Sequence, residues 1–252
     1  DLESIIQEIL VIYEDHKDQA PFDLKRFSDF SQMRERVAMK LIHTKSNETL
    51  LKEVPSIPFH DLSIVFYLFL DKDEHGQMTV LIRNDHLPIW NTDTSELYKL
   101  AIDNTPRLYP PCIRSMASLI NDMLFVNGTL IQPSFAAASP NALDLTDSPI
   151  PLSILTNTSG IFGASAMLYP GVLKKFSKKI GHDLIILPSS VHEVLLLPYD
   201  STYSFQEMAD MVKDVNEKCV PVEEQLSNQV YYYSSAQDSI FLGGDPASRI
   251  LS

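Results

Sequence analysis

The chain contains few of the residues from which metal and cofactor sites are usually built. Its 252 residues include only 2 cysteines, Cys112 and Cys219, and 8 glycines. Two isolated cysteines cannot supply the paired spacing of a zinc site, and such scarcity is typical of a reducing compartment, although a single disulfide stays open. So few glycines leave little room for a loop that cradles phosphate. We therefore expect no metal, no cofactor and a cytoplasmic location.

Long apolar runs and an excess of positive charge are absent as well. No run approaches the roughly 20 apolar residues that cross a bilayer, and the start, Asp1-Leu2-Glu3, lacks the basic region of a signal peptide. Because that start is not Met, we expect the chain to have lost a preceding segment. The net charge of −13 would repel nucleic acid, and the basic cluster at residues 174–179 has the spacing of a solvated helix face. The sequence thus predicts neither a membrane nor a nucleic acid partner.

The residues that are present predict an α+β fold with a mixed, mainly antiparallel sheet. Hydrophobic residues make up 44% and charged residues 21% of the chain, as in ordinary globular proteins. Apolar runs predict strands over residues 37–42, 62–70, 78–82, 152–156, 164–168, 184–187 and 194–197. Helical spacing predicts helices over residues 2–16, 47–54, 94–104, 113–124, 170–180 and 205–215. The run Tyr231-Tyr232-Tyr233 and residues 240–242 form a predicted C-terminal hairpin.

One short segment occurs twice. His60-Asp61-Leu62-Ser63-Ile64 recurs as His182-Asp183-Leu184-Ile185-Ile186, and each copy lies in a similar order of strand, helix, strand, strand and helix. Such a repeat favours an internal duplication with a seam between two similar units. We assign residues 1–126 to an N-terminal helix and the first unit, 127–151 to a linker or surface excursion, and 152–252 to the second unit with the hairpin. The units could pack as one compact body.

Ser190, His192 and Glu193 are the candidate catalytic residues of a hydrolase. A serine beside a histidine could act as the nucleophile, with the histidine as its base. However, the Gly-x-Ser-x-Gly turn is missing, and adjacent histidine and glutamate side chains on a strand point to opposite faces. The alternative interpretation is a polar turn that joins two buried strands.

Histidines offer the candidate metal ligands, since His86 could act together with His60 or His75. No His-x-x-x-His or paired cysteine spacing supports such a site. The alternative is a histidine that is bonded to a loop carbonyl.

The repeated pairs His60-Asp61 and His182-Asp183 are candidate binding residues. In one interpretation they bond backbone amides where a strand begins. In the other, the two pairs face each other across the seam and form a site there.

Arg107 and Tyr232 complete the candidate binding residues. We expect Asn104 to be the C-cap of its helix and Pro106 the stop, so Arg107 could bind an anion or pair with an acidic side chain. Alternation along a strand predicts that at least one of the three tyrosines faces solvent. An exposed tyrosine could contact a partner, although packing on the core explains the run equally well.

Several segments resemble a family of uncharacterised bacterial proteins. They lie within residues 30–235 and read PFHDLSIVFYLFL, ELYKLAIDNTPRL, SAMLYPGVLKKFSKKIGHDLIILPSSVHEVLLLP and VYYY. The LYPGVL and LPSSVHEV blocks are the most specific part. The family is a domain of unknown function found mainly in gut anaerobes, and the layout is also distantly similar to YtpQ-type uncharacterised proteins. The resemblance implies a bacterial, cytoplasmic origin and no established activity.

These observations favour a non-catalytic binding or protein-interaction module, because the polar residues are scattered over turns and no spacing brings them together. Its partner could be a protein or a small molecule, and a homodimer stays open. The alternative is a hydrolase or metal-dependent enzyme with its site at the seam. Contacts shared among His60, His86, His182 and His192 would favour that alternative.

Overall fold

Helices are interspersed among strands along the chain. This computed structural model describes residues 29–73, 76–116, 118, 143–144, 152–188 and 190–244. The α-helices are α1 (Phe30–Met33), α2 (Glu48–Leu51), α3 (His86–Trp90), α4 (Thr94–Leu108), α5 (Val172–Ile180) and α6 (Phe205–Cys219). The strands are β1 (Val37–His43), β2 (Ser56–Phe59), β3 (Leu62–Asp73), β4 (Gly76–Leu81), β5 (Pro111–Ser115), β6 (Leu143–Asp144), β7 (Ser153–Asn157), β8 (Leu184–Leu187), β9 (Val194–Pro198), β10 (Tyr231–Ser234) and β11 (Ser239–Leu242). The α+β fold and its C-terminal hairpin are confirmed. The helix predicted over residues 2–16 and most of the linker predicted over 127–151 lie outside the described residues.

The first sheet is built around β3. This strand pairs antiparallel with β1 along one edge, and with β2 and then β4 along the other. Residues 62–68 are buried throughout, as expected for a central strand with both faces covered. The sequence does not predict β2, because Pro58 interrupts its apolar run. Proline is tolerated there because β2 is an edge strand that pairs only with β3 in the described part of the chain.

The second sheet has the strand order β11-β10-β8-β9-β7-β5-β6 and is antiparallel except for the β5–β6 pair. The helix predicted over residues 113–124 is wrong at residues 113–115, which belong to β5 and pair with β7. Its apolar spacing suits a helix, but pairing with a neighbouring strand overrides that local preference. The strand predicted over 164–168 is also wrong, since Gly163–Leu168 form a 3-10 helix.

The two sheets share one connection pattern. In β1–α2–β2–β3 and in β7–α5–β8–β9, the third strand lies between the first and the second. The repeated segments are not equivalent within that pattern. His60-Asp61 form the turn between β2 and β3, whereas His182-Asp183 precede β8, which is the counterpart of β2. A match of a few residues is short enough to fall on different elements, and the duplication itself stays a prediction.

The hydrophobic core crosses the boundary that the sequence suggests at residue 126. One cluster of buried side chains contains Leu62 and Phe66 from the first sheet together with Leu155, Leu184 and Tyr231 from the second. In addition, β5 precedes that boundary but belongs to the second sheet. No helix among the described residues has the length and apolar character needed to cross a bilayer.

Helix α4 covers the outer edge of β1 with polar side chains. Asn104 Nδ2 donates to the carbonyl of Val37 over 3.1 Å, and Thr105 Oγ1 accepts the amide of Met39 over 3.1 Å. The predicted C-cap at Asn104 is therefore wrong, and α4 continues through Pro106. Bonds to β1 hold this turn in the helix although Pro106 lacks an amide hydrogen. The helix begins as predicted, where Asp93 accepts the amide of Glu96 over 2.8 Å.

We expect Thr105→Val to lower the free energy of unfolding by about 1–3 kcal/mol, because the buried Met39 amide would lose its acceptor. Thr92→Val is the matched control, since Thr92 Oγ1 is buried without a hydrogen-bond partner within the described residues. That variant should be neutral or more stable. Urea denaturation of both variants checks the expectation, and an equal loss at the two positions would contradict it.

Candidate ligand site

The carboxylates of the two His-Asp pairs accept hydrogen bonds from consecutive tyrosines of β10. Tyr231 donates its hydroxyl to Asp61 Oδ1, and Tyr232 donates to Asp183 Oδ2. Ser227 adds a bond of 2.6 Å to Asp61 Oδ2. Side chains of neighbouring residues in a strand point to opposite faces. The two carboxylates are therefore held on opposite faces of the second sheet rather than against each other.

The third tyrosine of the run has an aspartate partner too. Tyr233 donates to Asp238 Oδ1 over 2.6 Å, while Lys174 donates to Oδ2 of the same carboxylate over 2.8 Å. All three tyrosines are buried, with exposures of 0%, 3% and 2%. The expectation that one of them faces solvent is wrong. Strand β10 lies between β8 and β11, and both of its faces are covered.

The protonation of these groups fits a structural role. Burial opposes ionisation of Asp183, but hydrogen bonds from Ser235 and Tyr232 hold the pKa of Asp183 below its ordinary value. Burial, followed by the charge of Asp61, raises the pKa of Tyr231. The ionised carboxylate of Asp183 thus accepts a bond from the neutral phenol of Tyr232, an arrangement that is stronger than a bond between neutral groups.

The candidate histidines have separate surroundings. His60 has a φ of 55° in the β2–β3 turn, and its Nε2 lies 3.1 Å from the carbonyl of Ile240. His182 is exposed, and its carbonyl accepts the hydroxyl of Ser177 over 2.6 Å. His75 lies outside the described residues. Within them, no group of three or more histidine, cysteine, aspartate or glutamate side chains could hold a metal ion.

The three candidate catalytic residues are neighbours. However, no hydrogen bond joins the hydroxyl of Ser190, the candidate nucleophile, to the imidazole of His192, its candidate base. Ser190 Oγ accepts the backbone amide of His192 over 3.0 Å, while His192 Nδ1 accepts the amide of Phe162 over 3.3 Å. The other ring nitrogen, Nε2, lies 3.7 Å from Glu224 Oε1. Burial raises the pKa of Glu193, and His192 and Ser190 partly offset that effect.

Arg107 contacts backbone rather than an acidic side chain. Its Nη2 donates to the carbonyl of Glu35 over 3.0 Å and to Asn104 Oδ1 over 3.1 Å. In the described residues it has no carboxylate partner, so the expected salt bridge is wrong. Together with Asn104 and Thr105, Arg107 joins α4 to the segment that leads into β1.

A group of side chains that the sequence does not single out lies between the two sheets. We name it the Phe162 cluster, and its members are Lys40, Tyr67, Tyr109, Phe162, Tyr169 and His192. The ring of Phe162 has its centroid 5.8 Å from that of Tyr67 and 6.1 Å from that of His192. Lys40 Nζ lies 4.1 Å from the Phe162 centroid. Phe162 therefore connects β1 and β3 of the first sheet with the loops of the second.

Local structure holds Phe162 in a conformation that is rare for an aromatic residue. Its φ is 53°, in the left-handed region. The side chain of Asn157 organises the preceding loop, since its Oδ1 accepts the amides of Ser159 and Gly160 over 2.9 and 3.0 Å. Gly163 follows, and a Cβ there would lie only 2.4 Å from the carbonyl of His192. Such strain in a well-determined loop is typical of functional positions.

Lys40 is a cation without a matching anion. It lies on β1 on the same face as Ala38 and Ile42, which are both buried. No carboxylate of the described residues pairs with it, although the chain has 33 acidic residues against 20 basic ones. Burial lowers the pKa of Lys40 from its ordinary value. Its one described partner is the ring of Phe162, whose face attracts a cation.

Tyrosine hydroxyls provide the other polar atoms of the cluster. Burial, and then the nearby hydroxyls of Tyr109 and Tyr169, raise the pKa of Tyr67 well above its ordinary value. Burial likewise raises the pKa of Tyr109 to about 12. Within the described residues, Tyr109 Oη and Tyr169 Oη are buried and form no well-aligned hydrogen bond, although Tyr67 lies near the first hydroxyl and Ser165 and Asn157 lie near the second. Such atoms are rare in folded proteins and each calls for an explanation.

His86 is the candidate metal ligand whose surroundings perturb it most. It is 2% exposed, its ring centroid lies 5.1 Å from that of Trp90, and its Nδ1 accepts the amide of Arg83 over 3.2 Å. Burial, and then the charge of Arg83, lower its pKa from 6.5 to about 4. His86 is therefore neutral in the folded chain at neutral pH.

We expect His86 to make the folded chain less stable in acid. The unfolded chain takes up a proton near pH 6.5 and the folded chain only near pH 4. Stability is therefore complete above pH 6.5 and falls as the pH drops, by about 3 kcal/mol in all. His86→Gln should flatten this slope of unfolding free energy against pH, whereas the same change at the exposed His182 should leave it. An unchanged slope in His86→Gln would refute the assignment.

Comparison with known proteins assigns the chain to a family but gives no activity for it. No curated protein and no solved structure matches the chain significantly. A family model described as a family of unknown function, DUF5688, matches residues 1–235. That match covers most of the 252 residues and includes every member of the Phe162 cluster. The chain therefore belongs to the DUF5688 family.

Proposed function

We propose that this chain is a non-catalytic binding module of the cytoplasm, which holds a small molecule against the Phe162 cluster. The observations that carry the proposal are the ammonium group of Lys40, which has no carboxylate partner in the described residues, and the buried hydroxyls of Tyr109 and Tyr169, which form no well-aligned hydrogen bond there. Polar atoms left unpaired inside a protein cost free energy. A ligand that bonds them would recover that cost.

Few buried polar side-chain atoms lack a hydrogen bond elsewhere in the described residues. Among the described residues, four buried side-chain polar atoms lack a partner, and two of the four belong to this cluster. The aspartates of the tyrosine run, by comparison, each accept two or more hydrogen bonds. Aromatic walls with a few polar atoms are typical of small-molecule sites.

Two further observations support binding over catalysis and a cytoplasmic location. The carboxylates that could act as acids or bases, Asp61 and Asp183, are engaged by the tyrosines of β10. Cys112 and Cys219 are both free thiols, which is typical of proteins in a reducing compartment. The hydrolase hypothesis for Ser190, His192 and Glu193 stays a prediction.

Three Tyr→Phe variants distinguish hydroxyls kept for a ligand from hydroxyls kept for the fold. Tyr231→Phe should lower the free energy of unfolding by about 1–3 kcal/mol, because Asp61 loses a donor. Tyr109→Phe and Tyr169→Phe should cost nothing or add about 1 kcal/mol, because they remove buried atoms that have no partner. Denaturant unfolding of the purified variants measures all three. Losses at Tyr109 and Tyr169 as large as the loss at Tyr231 would count against the proposal.

Replacement of Lys40 tests the cation in the same way. Lys40→Met should raise the free energy of unfolding by about 1 kcal/mol, since it replaces a desolvated ammonium group by an apolar chain of similar length. Lys175→Met, on the exposed side of α5, is the control and should stay within about 0.5 kcal/mol of wild type. If Lys40→Met were instead destabilised, Lys40 would serve the fold and not a ligand.

A further inference from the structure

The charges of the Phe162 cluster restrict what it can bind. Its one full charge is the ammonium group of Lys40, which donates up to three hydrogen bonds and accepts none. The hydroxyls of Tyr109 and Tyr169 form no well-aligned hydrogen bond within the described residues and are further possible donors. His192 adds no acceptor on the side of Phe162, because its Nδ1 already accepts the Phe162 amide. The polar atoms of the cluster therefore offer hydrogen bonds more readily than they accept them.

The nearest carboxylates do not change this balance. Glu224 lies 3.7 Å from His192 Nε2, and Glu193 is adjacent to His192 in sequence and interacts with Ser190. Glu224 therefore lies on the Nε2 side of the imidazole, away from the Phe162 amide, and neither carboxylate pairs with Lys40. A cationic ligand would meet Lys40 with charge of the same sign. A neutral apolar ligand would desolvate the ammonium group and the hydroxyls without bonding them, which is unfavourable.

We infer that the ligand of the Phe162 cluster is a small organic anion, whose carboxylate or phosphate group is bound by Lys40 with the tyrosine hydroxyls as further donors. This inference rests on the proposed function and adds the class of ligand. The half-buried ammonium group of Lys40 would form charge-assisted bonds with such an anion, which are the strong class of hydrogen bond. The rings of Phe162, Tyr67 and Tyr109 provide flat apolar surface for a planar ligand body.

Four ring compounds of similar size test the charge preference with the full chain. Benzoate and phenyl phosphate carry the two anionic groups, benzamide is neutral and benzylamine is a cation. Thermal unfolding with each compound reports binding, because a ligand specific to the folded state raises Tm. We expect benzoate, phenyl phosphate or both to raise Tm, whereas benzamide and benzylamine should not. Whichever of the two anions gives the larger shift identifies the group that the site prefers.

The variants assign the effect to Lys40. Calorimetric titration of the anion should give a Kd about 10- to 100-fold weaker for Lys40→Met, as expected for the loss of one charge-assisted bond. Lys175→Met should bind like wild type, and Lys40→Gln replaces Lys40→Met if the latter does not fold. Equal Tm shifts in wild type and Lys40→Met would overturn the inference, as would no shift with either anion.

Failure of this inference is separate from failure of the proposed function. Suppose that benzamide or benzylamine binds at least as well as benzoate, and that its binding is weaker in Tyr109→Phe. This result would overturn the preference for an anionic ligand but would leave a ligand site at the cluster. The proposed function itself is tested without any probe compound, by the unfolding free energies of the tyrosine and Lys40 variants.

Discussion

The bond from Tyr231 to Asp61 is the contact on which the arrangement of the two sheets depends. Tyr231 belongs to β10 in the second sheet, and Asp61 lies in the turn between β2 and β3 of the first. The phenol is fully buried, and leaving either partner unpaired would cost the desolvation of a buried polar group. Because the bond forms only when both sheets are in place, it favours one relative position over others. The neighbouring Tyr232 and Tyr233 bind the aspartates that flank their own sheet.

The Phe162 cluster also lies where the two sheets meet, but its polar groups have fewer bonding partners than those at β10. The three aspartates bonded by β10 each accept two or more hydrogen bonds, whereas the cluster leaves an ammonium group without a carboxylate partner and two hydroxyls without a well-aligned hydrogen bond in the described residues. Proteins give up stability in this way at positions that serve function. The left-handed Phe162 and the close approach of Gly163 to the carbonyl of His192 show that this loop is held firmly.

Much of the secondary structure could be predicted from local patterns. The run 62–70 is continuously apolar, and only a strand that is covered on both faces buries such a run. Asp93 and Ser204 stand directly before two of the predicted helices, and each side chain accepts the amide three residues on, as an N-cap does. Local patterns were wrong where a distant partner decided the outcome. The apolar spacing from Ile113 onward predicted a helix, yet residues 113–115 form the end of β5 because β7 offers them hydrogen bonds.

The sequence by itself determined most of the elements and the acidic charge, because these follow from neighbours along the chain and from composition. Tertiary structure alone decided which residues meet. The only feature of Lys40 that the sequence shows is its position in an apolar strand. Its contact Phe162 lies more than a hundred residues away along the chain. The two His-Asp pairs were alike in letters but took different places in the sheets. Contacts between distant segments depend on how the sheets pack, and no short pattern encodes that packing.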